Sequence, residues 1–319
     1  MKNAPTLLAI GGAHIDRRGP IAGEHAPGAS NPGGMREEVG GGVFNAAAAA
    51  RQMGARVLFL SVRGGDAQGA AVSQAIQAAG LEDLSSTFLD RRTATYTAIL
   101  DRHGDVITAL ADMSIYETAL PRQISRRKTR DAIAESDAVL ADANMPAESI
   151  RRLLAFSLGK PVFIIAISPA KVVRLRGLLG GLHCLFMNMR EASALAGIET
   201  EEKMRPEQIL ALLADAGLQR AVLTNGPGDV FMLERAGVSS LTPPAPKQVA
   251  DVTGAGDALA GVTVAMMLRG NGFAASVRAG IAAAVTNIEN SNAIVVLQKS
   301  PRFAELLKIM ERQEDQIDA

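Results

Sequence analysis

The sequence predicts an α/β protein with three layers, in which helices cover both faces of a mostly parallel central sheet. Short apolar runs alternate with longer segments of helical periodicity, which is the pattern of βαβ units. The runs are continuously apolar, as expected for parallel strands that are buried on both faces. The predicted strands are Leu7–Gly11, Val57–Val62, Ala138–Ala141, Val162–Ile167, Cys184–Met187, Ala221–Thr224 and Val230–Leu233.

The predicted helices repeat apolar residues at three- and four-residue spacing. Five of them separate the strands, and after residue 251 the pattern is helical throughout. The predicted helices are Phe44–Met53, Ala67–Ala79, Ser149–Ser157, Arg190–Ala196, Pro206–Ala216, Ala258–Arg269, Phe273–Asn287 and Phe303–Glu314.

Two stretches interrupt this alternation and predict a small antiparallel sheet. Residues 17–39 are rich in Gly, Pro and charge and have no helical pattern. Residues 92–111 alternate in polarity on either side of a turn at 102–105, which predicts an antiparallel hairpin. Such an insertion suits a lid over an active site, although a surface hairpin without function explains the pattern equally well. We expect one domain over 1–319, with the lid formed by 17–39 and 92–111.

The composition of the 319 residues excludes several classes of protein. Lys plus Arg and Asp plus Glu both number 33, so no net basic charge indicates nucleic-acid binding. The one cysteine, Cys184, excludes an intramolecular disulfide framework and a cysteine zinc site. No apolar run approaches the roughly 18 residues of a membrane span, and the first apolar segment is too short for a signal peptide. We expect a soluble cytoplasmic protein that binds neither nucleic acid nor membrane.

The segment 251–257, Asp-Val-Thr-Gly-Ala-Gly-Asp, is followed at once by an apolar helix and carries most of the functional signal. Small residues at Gly254, Ala255 and Gly256 let the backbone approach a ligand, and the start of the helix favours anions. Asp257 beside that anion site is suited to be a general base for a hydroxyl group during phosphoryl transfer. A purely structural alternative is that Thr253 caps the helix and Asp257 is an acidic residue in its first turn. Capping alone does not require two glycines and two aspartates in seven residues.

A second glycine-rich segment, 40–45, reads Gly-Gly-Gly-Val-Phe-Asn and leads into an alanine-rich helix. Its glycines allow close approach to the backbone, and Asn45 offers both a donor and an acceptor to hydroxyl groups. A dinucleotide-binding loop is disfavoured, since no strand runs directly into these glycines and Asn45 stands at the last glycine. A phosphate-binding loop of the Walker type is absent, because Gly159-Lys160 is followed by Pro161.

These two segments, together with Asn188-Met189-Arg190-Glu191, resemble the signatures of the ribokinase-like (PfkB) carbohydrate and nucleoside kinases. The order and spacing of the motifs, the strand succession and the length agree over essentially the whole chain. The resemblance therefore implies the ribokinase-like fold and a kinase that uses ATP and Mg2+.

The resemblance also implies a role for each matching residue. Asp257 would be the catalytic base, with Gly254, Ala255 and Gly256 as its anion hole. The implied contacts to the sugar or nucleoside are Asp16, Gly41, Gly42 and Asn45. Nucleotide contacts are implied at Asn188, Thr224, Gly226 and Thr253, and metal sites at Glu191 for Mg2+ and at Asp251 for a monovalent cation such as K+. Taken alone, Asp16 could form a turn, Asn188 could cap a helix and Glu191 could lie on a surface.

Two departures from the family pattern concern the nucleotide and the metal. The turn after Thr224 carries Asp229 where a final glycine is expected, and Ile165-Ala166 stands where many relatives have Asp-Pro. Neither departure touches Asp257 or its anion hole. Catalysis is therefore still expected.

Several local strings are most similar to those of pseudouridine kinases. They include Ser30-Asn31-Pro32-Gly33 before the glycine run and 111–115 after the hairpin, together with 141–144. Pseudouridine is therefore the expected acceptor, with Asp112 or Asn144 near its base, although strand-end and loop roles suit these two residues equally. Ribose, keto-deoxy-gluconate, adenosine and inosine remain open, because hydrogen-bonding groups decide such specificity.

Other classes of function are disfavoured. A sensor that lost activity is supported only by the two departures, and the retained Asp257 argues against it. A nicotinamide-dependent oxidoreductase would need a strand–Gly-x-Gly-x-x-Gly–helix unit, which is missing. The edges of the predicted hairpin invite pairing between subunits, so we expect a homodimer.

Overall fold

The structure, a computed structural model, describes residues 4–198, 204–290 and 294–312. Its strands are β1 Thr6–Ile10, β2 His14–Pro20, β3 Arg36–Gly40, β4 Arg56–Leu60, β5 Val62–Gly64, β6 Glu82–Asp83, β7 Ser86–Phe88, β8 Thr95–Leu100, β9 Val106–Asp112, β10 Ala138–Asp142, β11 Val162–Ile165, β12 Cys184–Asn188, β13 Ala221–Thr224, β14 Val230–Glu234 and β15 Gly237–Leu241.

Helices connect most of these strands and also form the C-terminal part of the fold. They are α1 Gly42–Gln52, α2 Ala67–Ala78, α3 Ser114–Thr118, α4 Leu120–Ile124, α5 Arg127–Glu135, α6 Ala147–Phe156, α7 Pro169–Val172, α8 Met189–Ala196, α9 Pro206–Asp215, α10 Ala255–Leu268, α11 Phe273–Ile288 and α12 Pro301–Arg312. Within the described ranges, no helix is both long enough and apolar enough to span a bilayer.

The large sheet has the strand order β15-β14-β13-β12-β11-β10-β1-β4-β6 over the described residues. Every pairing from β13 to β6 is parallel, and β14 and β15 add antiparallel strands at one edge. Two cores cover its faces: in β1, Leu7 and Ala9 pack into one, and Leu8 and Ile10 into the other. The alternation follows from the pleat, which points successive side chains to opposite faces. This confirms the predicted α/β architecture.

The small sheet has the order β3-β2-β8-β9. The predicted hairpin is confirmed, since β8 and β9 pair antiparallel with Thr95 opposite Asp112. The segment 17–39 supplies most of β2 and β3, which are also antiparallel, and a parallel pairing of β2 with β8 joins the two hairpins. The small sheet therefore assembles from segments that the sequence had marked as irregular.

All seven predicted strands are present; five of them match the predicted ends to within one residue, and two differ more. The run Val57–Val62 is divided into β4 and β5, which belong to different sheets. The run Val162–Ile167 ends as a strand at Ile165, because Ile167 has a φ of 72°, outside the extended region.

The eight predicted helices are also present, and they differ only at their ends. The helices α3, α4, α5 and α7 were not predicted, because α3, α4 and α7 have only four or five residues each and α5 is mostly polar. The predicted end of the last helix, Glu314, lies outside the described residues.

Helices α1 and α10 pack closely beneath the glycine-rich segments, and the contact depends on Gly261. A Cβ atom at Gly261 would lie 2.1 Å from the carbonyl oxygen of Ala46, which is backbone and cannot move aside. We expect Gly261→Ala to lower the free energy of unfolding by about 1–3 kcal/mol, the usual cost of overpacking. Urea denaturation measures this, with Gly34→Ala as control, because nothing lies within 4 Å of a Cβ there. An equal effect of both substitutions would contradict this account of the packing.

Candidate active site

A cavity of about 540 Å³ opens where the carboxyl ends of the large sheet's strands face the small sheet. In open α/β sheets this edge is where ligands bind. The site residues expected from the sequence that line it are Asp16, Gly41, Gly42, Asn45, Asn188, Glu191, Thr224, Thr253, Gly256 and Asp257. Gly226, Asp251, Gly254 and Ala255 do not line it. The structure therefore brings together groups that lie as much as 241 positions apart, from Asp16 to Asp257.

The loop before α10 carries Asp257 into this cavity. Gly254 precedes the helix with a φ of 78°, a left-handed conformation that favours glycine. Thr253 does not cap the helix, so that part of the structural alternative is wrong: its Oγ1 accepts a hydrogen bond from Arg18 instead. Asp257 does lie in the first turn of the helix, as both explanations expect. Ala255, Gly256 and Asp257 form the first turn, where N–H groups have no partner within the helix. The loop thus offers N–H donors beside a carboxylate.

Asp257 has an environment that suits proton transfer near neutral pH. Burial raises the pKa of its carboxyl to about 7, and the nearby charges of Asp142, Asp16 and Glu191 act in the same direction. The amide Nδ2 of Asn45 donates to Asp257 Oδ2 at 2.9 Å and opposes part of that rise. A carboxyl with this pKa can take up a proton without being too weak a base.

The glycine run before α1 is explained by the groups that approach it. A Cβ at Gly40 would meet Asp16 Oδ2 at 2.1 Å, and a Cβ at Gly41 would meet the carbonyl oxygen of Gly12 at 2.3 Å. At Gly42 a Cβ would lie 2.5 Å from Ile167 Cδ1 and 3.2 Å from Asp257 Oδ1. The run therefore lets Asp16 and Asp257 reach the same cavity.

Asp16 is held by side chains that sequence reasoning missed. His14 Nε2 lies 3.1 Å from Asp16 Oδ1, and His14 Nδ1 lies 3.5 Å from the hydroxyl of Tyr116. That hydroxyl accepts from the N–H of Ala13 and donates to the carbonyl of Ala13. Tyr116 is fully buried on α3, so the chain of contacts anchors Asp16 to the core. The sequence signal that could have revealed this contact is the spacing: His14 and Asp16 are two residues apart on one strand, so their side chains point to the same face.

Asn188 and Glu191 form a reciprocal capping box at the start of α8. Asn188 Oδ1 accepts from the N–H of Glu191 at 3.0 Å, and Glu191 Oε2 accepts from the N–H of Asn188 at 2.8 Å. Glu191 is buried, and this burial raises the pKa of its carboxyl. The Asn-x-x-Glu spacing therefore has a structural role, and both residues also face the cavity.

The turn after β13 contains Asp229, which stands where the family pattern has a glycine. Thr224 faces the cavity, whereas Gly226, with a φ of 57°, lies in an open turn closed by a hydrogen bond from Gly228 N–H to the carbonyl of Asn225. Asp229 Oδ1 accepts from the hydroxyl of Thr242 at 2.8 Å. The side chain of Asp229 is therefore hydrogen-bonded to another residue of the protein.

Asp251 is paired with an arginine of the small sheet. Arg18 Nη1 donates to Asp251 Oδ2 at 2.7 Å, and Arg18 Nη2 donates to Thr253 Oγ1 at 2.6 Å. The other carboxylate oxygen, Oδ1, accepts from the N–H of Thr253. This ion pair connects β2 with the loop that precedes α10. Since 233 positions separate its partners, no local pattern could have revealed it.

The segments that follow β10 and β11 also contribute residues to the cavity lining. Asn144, which the sequence suggested, and Lys171, which it did not, both line the cavity, whereas Asp112 lies outside its lining. Asp112 Oδ1 instead accepts from the hydroxyl of Ser114. The Ser-Pro-Ala-Lys string at 168–171, directly after a strand, was the only sequence signal for Lys171.

The fold and cavity define a class of protein. The partly buried carboxylate of Asp257, with a raised pKa, lies at a glycine-preceded helix N-terminus, and the carboxylates of Asp16 and Glu191 line the same cavity. This suits a phosphotransferase that acts on a hydroxyl group. The chain belongs to the pfkB family of carbohydrate kinases, whose sequence model matches residues 5–300. It is therefore a phosphotransferase for a sugar or nucleoside hydroxyl, with a ribokinase-like fold.

Individual relatives agree with this assignment. The chain is 29% identical over 279 residues to the pseudouridine kinase of Escherichia coli K12, which covers 87% of this chain and 88% of that protein. A carbohydrate kinase from Agrobacterium tumefaciens matches with a TM-score of 0.82 and 42% identity, covering 95% of this chain and 97% of that one. Arabidopsis thaliana ribokinase, solved with ribose and ATP, matches in fold with a TM-score of 0.81 at 21% identity, covering 96% and 99% of the two chains.

Proposed function

We propose that the protein transfers the γ-phosphoryl group of ATP to the hydroxymethyl group of a nucleoside or sugar, with Asp257 as the general base. The observation that carries this proposal is Asp257 itself, which is partly buried, with its pKa raised to about 7, at the start of α10. Its carboxylate would take the hydroxyl proton as the oxygen attacks phosphorus. The N–H groups near Gly254, Ala255 and Gly256 would stabilise the negative charge on the phosphoryl oxygens.

The remaining site residues divide between the two substrates. Asp16, Gly41, Gly42 and Asn45 are proposed to bind the acceptor, since they surround Asp257 on the side of the cavity near β1 and α1. Asn188, Thr224, Gly226 and Thr253 are proposed to bind ATP, near the ends of β12 and β13 and the start of α10. Three of these four residues line the cavity. The fourth, Gly226, does not line it but lies on the same turn as Thr224. The small sheet is proposed to close over both substrates as a lid and exclude water.

The acceptor is proposed to be pseudouridine, which would give pseudouridine 5′-phosphate. This is supported by the similarity to the Escherichia coli pseudouridine kinase along 87% of the chain and by the local strings in and near the small sheet. Asn144, buried at the cavity wall with its Oδ1 accepting from Lys171, is the residue proposed to lie near the base. The alternatives are ribose, another nucleoside or keto-deoxy-gluconate, and a sensor without activity.

The residues present are compatible with Mg2+ bound together with ATP. No group of three or more His, Cys, Asp and Glu is arranged to hold a metal within 4–198, 204–290 and 294–312. Mg2+ characteristically keeps waters and uses phosphate oxygens, so one carboxylate such as Glu191, next to Asn188, is a sufficient protein contribution. When bound, the ion supplies positive charge that neutralises the phosphate oxygens.

Asp251 does not fit a monovalent cation in this structure, because Arg18 already provides a positive charge there. We therefore expect wild-type turnover to be the same in K+ as in tetramethylammonium salts. Arg18→Ala would free the carboxylate, and its turnover should then rise when K+ is added. Initial rates in matched salts test this, and a wild-type rate that depends on K+ would contradict it.

A homodimer is proposed to form through the small sheet. Strand β9 is an edge strand, and its Val106 and Leu110 are 58% and 71% exposed. Exposed apolar residues on an unpaired edge invite a second copy of the same strand. Light scattering tests this: a monomer at working concentration would contradict the proposal, whereas a dimer that Leu110→Lys dissociates would support it.

The test of the proposed function is ADP release with Mg2+ and ATP. The acceptors are pseudouridine, uridine, adenosine, inosine, ribose, fructose and keto-deoxy-gluconate, and Asp257→Asn is the control for unrelated ATP hydrolysis. Preference for pseudouridine would support both the reaction and its acceptor. Activity with another acceptor would retain the reaction and overturn the acceptor. A folded protein that binds ATP but transfers phosphate to none of them would favour the sensor.

A further inference from the structure

Lys171 is a cation in a cavity that is otherwise rich in carboxylates. Among the described residues it is the only Lys or Arg that lines the cavity, whereas Asp16, Glu191 and Asp257 all do so. Its ammonium donates to Asn144 Oδ1, and it is half-buried on the short helix α7. As a half-buried ammonium that faces the cavity, Lys171 can offer its positive charge and its N–H donors to an anionic ligand there.

The backbone before Lys171 is strained in a way that directs this segment into the cavity. Ile167 has a φ of 72°, the only positive φ of a non-glycine residue in the described chain, and it is β-branched. The N–H of Ser168 donates to the carbonyl of Ala166 at 3.0 Å, which closes a tight turn around Ile167. The Ile167 side chain then lies across Gly42, beside Asp257, and Ser168 and Lys171 face the cavity. Strain of this kind is characteristic of functional sites.

The strand order places Lys171 between the two halves of the site. It follows β11, whose neighbours are β12 on one side and β10 on the other. Asn188 and Thr224, proposed for the nucleotide, lie at the ends of β12 and β13. Asp16 follows β1, which is next to β10. The group that passes from ATP to the acceptor must cross the space near β11 and α10.

We propose that the Lys171 ammonium binds a non-bridging oxygen of the γ-phosphoryl group during transfer, which makes Lys171 a further catalytic residue; this rests on the proposed kinase function. In the step, the acceptor oxygen bonds to the γ-phosphorus and the bond from phosphorus to the β,γ-bridging oxygen breaks. The electron pair leaves with ADP, and the hydroxyl proton goes to Asp257. Lys171 keeps its proton throughout and acts by its charge.

The surroundings of Lys171 bear on its protonation. Burial has the largest effect and lowers the pKa of its ammonium. Among the neighbouring charges, the carboxylates of Asp142 and Glu117 raise this pKa, and the guanidinium of Arg174 lowers it. The ammonium should therefore lose its proton at a lower pH than an exposed lysine, so kcat should fall on the alkaline side. Lys171→Arg, which keeps a positive charge at all accessible pH, should move that fall to higher pH.

The closing experiment compares nucleotides that differ only in the γ-phosphoryl group. Calorimetry with Mg2+ would measure the affinities for ADP and for the β,γ-imido analogue of ATP in wild type, Lys171→Met and Lys171→Arg. We expect Lys171→Met to lose about 10- to 150-fold in affinity for the analogue relative to ADP, the loss of one charged hydrogen bond. Lys171→Arg should recover part of it. Lys128→Met, which changes a lysine outside the cavity lining, should keep the wild-type ratio.

Each other result would overturn the inference. An unchanged ratio in Lys171→Met, or an equal loss for both nucleotides, would show that Lys171 does not contact the γ-phosphoryl group. An increase in the acceptor KM with an unchanged ratio would assign it to the acceptor. Should Lys171→Met not fold, Lys171→Gln, whose amide can still donate to Asn144, takes its place. Because these titrations need no acceptor, they decide whether Lys171 contacts the γ-phosphoryl group separately from the acceptor assay that tests the proposed function.

Discussion

Asp257→Asn should lower kcat by about 10²–10⁴, the usual contribution of a general base. The amide has the same size as the carboxylate, so the substitution removes the proton acceptor and leaves the shape of the cavity. Nucleotide affinity should therefore be close to that of wild type. Steady-state ADP release and calorimetry with the imido analogue measure the two quantities. A variant that retains wild-type turnover would refute the role of Asp257.

The same substitution should not destabilise the fold. Burial raises the pKa of Asp257 from 3.8 in the unfolded chain to about 7 in the folded protein, so its charged form opposes folding. The contribution of Asp257 to the free energy of unfolding is therefore most favourable below pH 3.8, and it is lost as the pH rises through about 7. The Tm of Asp257→Asn minus that of wild type should increase over this range. A lower Tm at pH 8 would instead indicate that Asp257 holds the fold together.

The raised pKa also predicts the pH dependence of catalysis. A base must be unprotonated, so kcat/KM should fall as the pH drops below about 7 in wild type. Asn45 donates to Asp257 and holds its pKa down, so Asn45→Leu should move this acid limb to higher pH. Rates measured between about pH 5 and pH 9 in buffers of constant ionic strength would show this shift. An acid limb that Asn45→Leu leaves in place would assign the titration to another group.

Asp16→Ala should lower kcat/KM for the acceptor by about 10²–10⁴, because it would remove the two charged hydrogen bonds that Asp16 is proposed to make to sugar hydroxyls, each worth about 1.5–3 kcal/mol. The carboxylate faces the cavity and is oriented by His14, and it is among the proposed acceptor contacts and not among the proposed ATP contacts. The affinity for nucleotide should therefore change little.

The matched control for Asp16→Ala is Glu37→Ala on the neighbouring strand. Glu37 forms an exposed ion pair with Arg17 and does not line the cavity. Its removal should leave the acceptor KM unchanged, since exposed ion pairs contribute little. If both variants lose acceptor affinity equally, the effect belongs to the small sheet as a whole and not to Asp16.

Much of the large sheet could be predicted from the sequence because its signals are local. Each buried strand is a short apolar run, and each long helix repeats its apolar residues at a fixed spacing. The glycine-rich segments at 40–45 and 251–257 are local too, since a backbone that must approach another group closely excludes side chains. The strand at 162–167 was predicted too long because its last residues are apolar, and only the turn at Ile167 ends it.

Long-range contacts, in contrast, were decided by the tertiary structure. Asn45 and Asp257 are 212 positions apart, and Arg18 and Asp251 are 233 apart, yet each pair is hydrogen-bonded. The anchoring of Asp16 through His14 to Tyr116, and the contact of Lys171 with Asn144 at the cavity, likewise depend on strand order.

By itself, then, the sequence determined the α/β class, the strands and helices of the large sheet, and the segments that supply the backbone and carboxylates of the site. The physical reason is that hydrophobic periodicity and glycine conformation act within a few residues. Only the tertiary structure decided which polar groups share hydrogen bonds and burial. Those depend on the order in which strands pair, and they raise the pKa of Asp257, bind Asp251 to Arg18 and bring Lys171 into the cavity.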